Sequence, residues 1–309
     1  MTVSNTVEEK RGFRLTLPIA FCAALALIFY AEGVRSAFTG GVRLAVCSVL
    51  PSVFPFMIIA DYIRSGQMPE GGPLSRLFGR AFGLPSGALG IYLTGVLCGF
   101  PVGVRSAAEA YRSGTISGEE CERLSAIASS PSPAFVISGV GLMLGDIGLG
   151  SALYICVILS SLLVGAIFAR KSGKIEKPSY NSRQRFDLVA SVKNAGYASV
   201  AISSYIIFFS ILLSALKTVI RSDSLIAVLS CLLEVGNAAA TLSGDSGIPP
   251  APRLSLIAFS LAFSGLSVHM QSFSFLPEEI SRRRIILLKL FQGLVAFSLC
   301  LLYCIMIKK

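Results

Sequence analysis

The sequence predicts an all-α, polytopic membrane protein of about eight transmembrane helices, with further re-entrant or broken helices, built as two inverted repeats. Of its 309 residues, 53% are hydrophobic and 14% are charged, whereas a soluble domain usually carries about 25% charged residues. Apolar windows of helical length recur along the chain, and roughly 17 to 25 such residues cross a bilayer as a helix. Windows of this length exclude a transmembrane β-barrel, whose strands are about ten residues of alternating character.

The apolar windows are predicted to cross the membrane in chain order. They are residues 15–31, 44–63, 86–104, 147–169, 197–220, 224–242, 254–276 and 285–307. A shorter apolar piece, 134–145, either spans or re-enters. Residues 15–31 also resemble a signal peptide, but Arg35 and Arg43 follow directly and no soluble domain comes after them, which favours a membrane span.

Basic residues indicate the orientation of the chain. The net charge of +10 is concentrated in loops, most densely at 170–193, which is typical of cytoplasmic loops and of contact with anionic lipid, not with nucleic acid. One group disagrees with this topology, because it falls on the outer side: Arg282, Arg283, Arg284 and Lys289. Either these residues line an aqueous cavity or a re-entrant segment changes the count.

Two stretches of similar sequence predict the internal repeat. Residues 93–105 align with 258–271, superposing Gly99 on Gly265, and each is followed by an acidic pair and then basic residues. The predicted units are therefore an N-terminal basic segment with the first helix, a first repeat, a basic linker and a second repeat, at residues 1–35, 36–169, 170–185 and 186–309. Inverted repeats with broken helices are typical of secondary transporters, which bind substrate near the bilayer midplane.

The stretch ASSPSPAFVISGVG, residues 128–141, predicts a break in a helix. Pro131 and Pro133 oppose a continuing helix, so the preceding one should end near Ser129. A new helix should begin at about Pro133 with Ser132 as its cap. Such an amino terminus attracts anions, which makes residues 129–132 (Ser129, Ser130, Pro131 and Ser132) candidate binding residues. A plain interfacial loop is the alternative interpretation.

A second break is predicted in CGFPVGVR, residues 98–105, where a proline stands between two glycines inside an apolar window. The stretch ends in a cation, which is costly at membrane depth unless it faces a cavity or a partner. The candidate binding residues here are Gly99, Phe100, Pro101, Gly103 and Arg105. The alternative for Arg105 is snorkelling, or an ion pair with Glu109 one turn later.

The second repeat offers fewer candidates. His269 and Gln271 occupy the places of Gly103 and Arg105, in a stretch that also contains Ser267. His269 is a candidate proton carrier or substrate donor, with a structural role as the equal alternative. Asn237 is one turn from Glu234 and shares a face with it, although Glu234 is equally typical of a helix end.

No enzyme is predicted, because the sequence contains no GxSxG, HExxH or GxxxxGK[ST] motif. The eight cysteines mostly fall in apolar windows without a CxxC pair, which is typical of small buried hydrophobes. No catalytic residue, metal or cofactor is therefore expected.

Three stretches resemble the sporulation integral membrane protein YlbJ family, whose members carry paired nucleoside-recognition (Gate) domains. They are LPSVFPFMII (50–59), the long motif at 98–141 and FSGLSVHMQ (263–271). The family tends to have lysine where Arg105 stands, so this chain keeps the charge. The resemblance implies two Gate-like repeats in a multi-pass protein of the mother-cell-derived membrane around the forespore, exporting dipicolinate during sporulation.

Three functions follow as expectations. The first is transport of a small organic anion, since an arginine fork suits a carboxylate. The second is a carrier of nucleosides or other polar solutes, and the third is a membrane scaffold that recruits a sporulation partner through the basic loop. Expected partners are the anion and membrane lipids, with no nucleic acid, and homo-oligomerisation stays open.

Overall fold

The computed structural model describes residues 25, 27–65, 72–169, 186–244 and 246–307. The basic amino terminus, most of the window 15–31 and the linker 170–185 lie outside these residues. The predictions made for those three segments are therefore outside the described part of the chain.

Helices are the only regular elements of the described residues, as the sequence predicts. The first half contains α1 (Ala31–Leu44), which continues through a π-helical turn (Ala45–Val49), α2 (Leu50–Ser65), α3 (Pro73–Phe82), α4 (Ala88–Cys98), α5 (Phe100–Arg112), α6 (Gly118–Ala128), α7 (Ala134–Met143) and α8 (Ile147–Ile167). The second half contains α9 (Leu188–Val219), α10 (Asp223–Leu233), α11 (Val235–Ser243), α12 (Pro250–Phe263), α13 (Gly265–Phe273) and α14 (Arg282–Ile307).

Four helical segments are long and apolar enough to cross a membrane: α8, α9, α14 and the joined segment Pro250–Phe273, which comprises α12 and α13. A fifth consists of Ala31–Val49 and Val53–Ile59, bent by 45°. These segments are compatible with a membrane protein and match the windows 44–63, 147–169, 197–220, 254–276 and 285–307. The central one is Pro250–Phe273, whose most apolar stretch is 72% buried inside the protein, compared with 33% to 39% for the other three.

The window 86–104 is not a continuous span, which corrects the predicted count. It falls in a helical hairpin of α4 and α5, called hairpin 1, whose tip is Gly99 at φ 100°, a conformation that favours glycine. A Cβ on Gly95 would lie 2.2 Å from the carbonyl oxygen of Ala128, and one on Gly103 would lie 2.3 Å from the same atom. The Cβ positions at 95 and 103 are thus within about 5 Å of each other. In a continuous helix, eight residues would separate them by about 12 Å along the axis, so the chain folds back between them.

The window 224–242 is also a hairpin and not a single span. Its arms are α10 and α11, its tip is the extended residue Glu234 (φ −153°, ψ 127°), and it is called hairpin 2. The Ser224 hydroxyl near the start of α10 donates to the Ser246 carbonyl just beyond α11, at 3.1 Å. Both arms are apolar, and so the composition alone is that of one uninterrupted span.

Two further helices are interrupted. Broken helix 1 consists of α6 and α7, separated by residues 129–133. Broken helix 2 consists of α12 and α13, interrupted at Ser264, the one non-glycine residue with positive φ (81°) in the described part of the chain. Each broken helix packs against the long helix of the other half, α6 against α14 and α12 against α8, and α8 also packs against α14. The two halves therefore share one interior.

Candidate functional site

The tip of hairpin 1 meets the break in broken helix 1. A Cβ on Gly99 would lie 3.5 Å from the backbone nitrogen of Ser132. The break is where the sequence predicts it: α6 ends at Ala128, with Ser129 as its C-cap. The backbone N–H of Phe135 donates to the Ser132 hydroxyl at 3.3 Å, which confirms Ser132 as the cap. The segment is buried, and Ser130 and Ser132 are at most 2% exposed.

The tip of hairpin 2 meets broken helix 2 in the same manner. A Cβ on Gly265 would lie 3.1 Å from the Leu233 carbonyl oxygen. Glu234 is 4% exposed, and its carboxylate accepts hydrogen bonds from the backbone N–H of Gly236 at 2.9 Å and of Asn237 at 2.6 Å. Glu234 is therefore the buried N-cap of α11, the helix-end role that the sequence left open.

Asn237 belongs to this cap and does not line the cavity between α2, α5, α9 and α13. Its side-chain amide donates to the Glu234 carboxylate at 3.0 Å, and its carbonyl oxygen accepts from the Ser210 hydroxyl of α9, also at 3.0 Å. Asn237 thus connects hairpin 2 with α9.

A cavity of about 190 Å³ lies between α2, α5, α9 and the end of α13. Apolar side chains such as Val102 and Ile202 form much of its wall. The polar lining comprises Asp61, Arg105, Asn194, Tyr205, Gln271 and Ser274. Of the predicted site residues, Pro101, Arg105 and Gln271 are brought together here, and Arg105 and Gln271 come from different halves.

Sequence reasoning missed Asp61, Asn194 and Tyr205 as cavity residues. Asp61 lies in the window 44–63, and a charge in an apolar window is the same signal that pointed to Arg105. The Ser191 hydroxyl of α9 donates to the Asp61 carboxylate at 3.0 Å. Asn194 and Tyr205 are uncharged residues of α9 and carry no comparable signal in the sequence.

Arg105 has a free binding surface in spite of an ion pair. Its Nε donates to the Glu109 carboxylate at 3.0 Å, and the two side chains are 38% and 42% exposed, so the alternative pairing is observed. The two terminal guanidinium nitrogens make no hydrogen bond to any residue of the described segments. They remain available to a carboxylate, which an arginine fork binds through two parallel hydrogen bonds.

The other predicted residues of the second half lie beside the cavity and do not line it. Ser267 is fully buried and accepts a hydrogen bond from the side-chain amide of Gln271 at 3.1 Å, so it orients a cavity residue. His269 is 4% exposed and lies between the rings of Phe263 and Phe273, with ring centroids 5.0 and 5.5 Å away. Its Nε2 has no hydrogen-bond partner in the described part of the chain.

The remaining first-half candidates are Gly99, Phe100, Gly103 and residues 129–132. They form the hairpin tip and the break behind the cavity wall, and do not belong to its lining. Gly103 lies against Ala128, as described above, and Phe100 is a partly buried residue of the apolar core. Their place in the structure indicates packing roles near the site, and a direct role in binding stays a prediction.

Lys289 is a functional candidate that the sequence did not select. It was expected with the arginines of 282–284 on the outer side, but it is 0% exposed inside α14. Arg284 instead reaches α6, where its guanidinium lies 3.2 Å from the Glu122 carboxylate. Of the two alternatives that the sequence left open for this group, burial of Lys289 does not favour the aqueous cavity, and the alternative of a changed number of crossings stays a prediction.

Comparison of the chain with protein-family models, curated proteins and solved structures finds no match in any of the three. Among the described residues, no cluster of three or more His, Cys, Asp and Glu side chains is positioned to hold a metal ion. A half-exposed guanidinium, a carboxylate, amides and a phenol surround a small cavity between helices of both halves, a set of groups that can hold a small polar molecule through hydrogen bonds.

Proposed function

We propose that this chain is a membrane transporter for a small organic anion, built from two inverted repeats around a midplane site. The resemblance described above supports dipicolinate as the substrate and the membrane around the forespore as its location. In the proposed topology each hairpin is re-entrant, so six of the eight predicted windows remain as crossings.

The observation that carries this proposal is the repeated order of hairpin, broken helix and long helix. Hairpin 1, broken helix 1 and α8 follow one another in the first half, and hairpin 2, broken helix 2 and α14 do so in the second. This order pairs the tip Gly99 with Glu234, whereas the sequence alignment pairs Gly99 with Gly265. Irregular backbone is tolerated at membrane depth only where protein or water surrounds it, and secondary transporters bind substrate at such places.

The cavity supports a small polar substrate. A volume of about 190 Å³ suits a molecule with one ring or a short chain. The free guanidinium nitrogens of Arg105 favour a carboxylate, and Gln271, Asn194 and Tyr205 can donate further hydrogen bonds. Because Arg105 and Gln271 belong to different halves, relative movement of the halves would change the contacts of a bound anion.

Flux through purified protein in proteoliposomes tests the proposal. Labelled dipicolinate should enter vesicles that contain the parent chain, and Arg105→Ala should slow subsaturating flux about tenfold or more, since a hydrogen bond to a charged group contributes about 1.5–3 kcal/mol. Arg105→Lys should retain part of the flux, because the charge remains and the fork is lost. Arg35→Ala, which removes an exposed arginine, is the matched control and should match the parent.

Competition distinguishes the other two functions. Slowing by uridine and not by dicarboxylates would identify a polar-solute carrier and would overturn the anion assignment. Protein that is folded but moves neither class of solute would favour the scaffold.

A further inference from the structure

Lys289 is a cation enclosed within the protein. It is the eighth residue of α14 (Arg282–Ile307), about 10 Å along the helix axis from its start. Its exposed fraction is 0%, as is that of Gln292 one turn later, and Ile285 one turn earlier is 2% exposed. A charged side chain at such depth is costly and marks a functional position by default.

The hydrogen-bond partners of Lys289 are neutral oxygens. Its Nζ donates to the backbone carbonyl of Ser129 at 2.6 Å and to the side-chain oxygen of Gln292 at 3.2 Å. No carboxylate of the described segments lies within ion-pair distance of this ammonium. A buried charge without a counter-charge stabilises a fold poorly, so structural support is a weak explanation for a lysine here.

The position of the Ser129 carbonyl explains why its hydrogen bond with Lys289 matters. Ser129 is the C-cap of α6, where the helix carries partial negative charge and favours a cation. It also lies at the break of broken helix 1, in the half of the chain opposite to α14. The Lys289–Ser129 hydrogen bond therefore joins the two halves at the break, and any separation of α14 from the break removes the principal partner of the ammonium.

The carboxylates on the helices around Lys289 have other partners, and one titratable side chain that interacts with the charge of Lys289 is His269. The helix of Lys289 packs against α6, α8 and α12. Glu119 and Glu122 of α6 lie 3.6 and 3.2 Å from Arg284, and Glu120 is held in the capping box of α6. No other side chain on these helices, on α13 or on α14 is a carboxylate. The remaining titratable or charged side chains there are Cys121, Arg123, Tyr154, Cys156, Arg253, His269, Arg282, Arg283, Cys300, Tyr303 and Cys304.

The polar network around Lys289 is incomplete in this state. The side-chain amide nitrogen of Gln292 is buried and has no hydrogen-bond partner in the described residues. The same holds for Nε2 of His269, which interacts electrostatically with Lys289. Buried polar groups are normally paired. Unpaired groups beside a buried ammonium are consistent with a second arrangement of the helices in which their partners differ.

We propose that Lys289 is the proton carrier of the transport cycle, so that the anion moves together with a proton. The proposal rests on the transport function proposed above. Lys289 is protonated while Ser129 holds its Nζ. When the halves move apart, this hydrogen bond to the charged form is lost, which favours release of the proton. The proton then passes from Nζ to water on the side of release, and a proton from water on the other side restores the ammonium.

Proteoliposomes with clamped membrane potential and no sodium test this coupling. With the interior one pH unit more alkaline, the parent should accumulate labelled dipicolinate by up to about tenfold per coupled proton, and a trapped pH dye should report protons entering with substrate. Lys289→Met and Lys289→Arg should each lose the accumulation and still exchange substrate, because one lacks the titrating amine and the other keeps a permanent charge. Lys217→Met, which removes an exposed lysine of α9, should accumulate as the parent does.

The possible results separate this proposal from transport itself. Parental accumulation by Lys289→Arg, which retains the cation and its hydrogen bond, would overturn the carrier role even if Lys289→Met did not fold. If the parent exchanges dipicolinate but its accumulation does not change with the pH gradient, the role of Lys289 as proton carrier is wrong and the proposed transport function stands. A parent that moves no substrate would overturn both proposals.

Discussion

Two glycines determine how closely hairpin 1 approaches broken helix 1. Gly95 and Gly103 both face the carbonyl oxygen of Ala128, and a Cβ at either position would lie far inside contact distance of it. Real side chains do not make such contacts, so a larger residue would push the hairpin away from the break that it supports. The position of Ser132 beside Gly99 depends on this close packing.

Gly103→Ala should therefore destabilise the protein. We expect a loss of about 1–3 kcal/mol, the usual effect of overpacking, seen as a lower midpoint of thermal unfolding in detergent. The control is Gly196→Ala in α9, where a Cβ would meet no atom within 4 Å, and which should be neutral or slightly stabilising. Equal midpoints for Gly103→Ala and the parent would show that hairpin 1 does not need the close approach.

The short helix α3 has the form of an interfacial helix. Its buried face contains Phe78 and Phe82, and its outer face places the exposed side chains of Leu74 and Leu77, at 65% and 64%, beside two arginines. An apolar strip next to a basic strip suits the boundary between lipid tails and anionic headgroups. The guanidinium of Arg123 on α6 donates to the Phe82 and Gly83 carbonyls at 2.9 Å, so α3 is fixed to broken helix 1.

A tryptophan reporter tests the depth of α3, because the chain contains no tryptophan. Leu77→Trp should emit at shorter wavelength in liposomes than in water, and lipids brominated near the headgroups should quench it most strongly. Leu159→Trp, near the middle of α8 and 45% exposed at the parent leucine, should be quenched best by deeply brominated lipids. Identical depth profiles for the two variants would place α3 inside the hydrocarbon core and contradict this assignment.

The two halves are joined at three points near the start of α14. Arg112 donates to the Phe275 carbonyl at 2.6 Å, Lys289 donates to the Ser129 carbonyl at 2.6 Å, and Arg284 pairs with Glu122 at 3.2 Å. Glu122 also accepts from the backbone N–H of the residue at 281, at 2.9 Å. All three contacts connect α5 or broken helix 1 with the second half, so they oppose separation of the halves on one side of the molecule.

Reversing one charge at this contact should weaken it, and reversing both should restore it in part. Arg284→Glu places a third negative charge beside Glu119 and Glu122 and should lower the midpoint of thermal unfolding. We expect the double variant Glu122→Arg/Arg284→Glu to recover about 0.2–1 kcal/mol, the usual range for an exposed pair, since Arg284 is 59% exposed. Recovery should be incomplete because the backbone hydrogen bond at 281 is lost. Strictly additive effects of the two substitutions would show that the charges do not interact.

Local chemistry allowed several features to be predicted from the sequence. The helix break before Pro133, the cap at Ser132 and the break at Gly99 depend on proline and glycine geometry, which operates within a few residues. Arg105 was selected because a charge in an apolar window is costly wherever the window lies. For Lys289 the sequence leaves two alternatives, because charge rules describe loops and lipid-facing positions and do not describe contacts between helices.

The amino-acid order is sufficient to establish the helical class, the apolar segments and the places where the backbone must bend, since each follows from residues close in the chain. It could not show that residues 86–104 and 224–242 fold back as hairpins, because both arms of a hairpin have the composition of one span. It also could not show that Arg105 lies near Gln271, 166 positions later, or that Lys289 contacts Ser129, 160 positions earlier. Those neighbours are set by the packing of the two halves, which depends on shape and on close contacts such as that of Gly103 with Ala128.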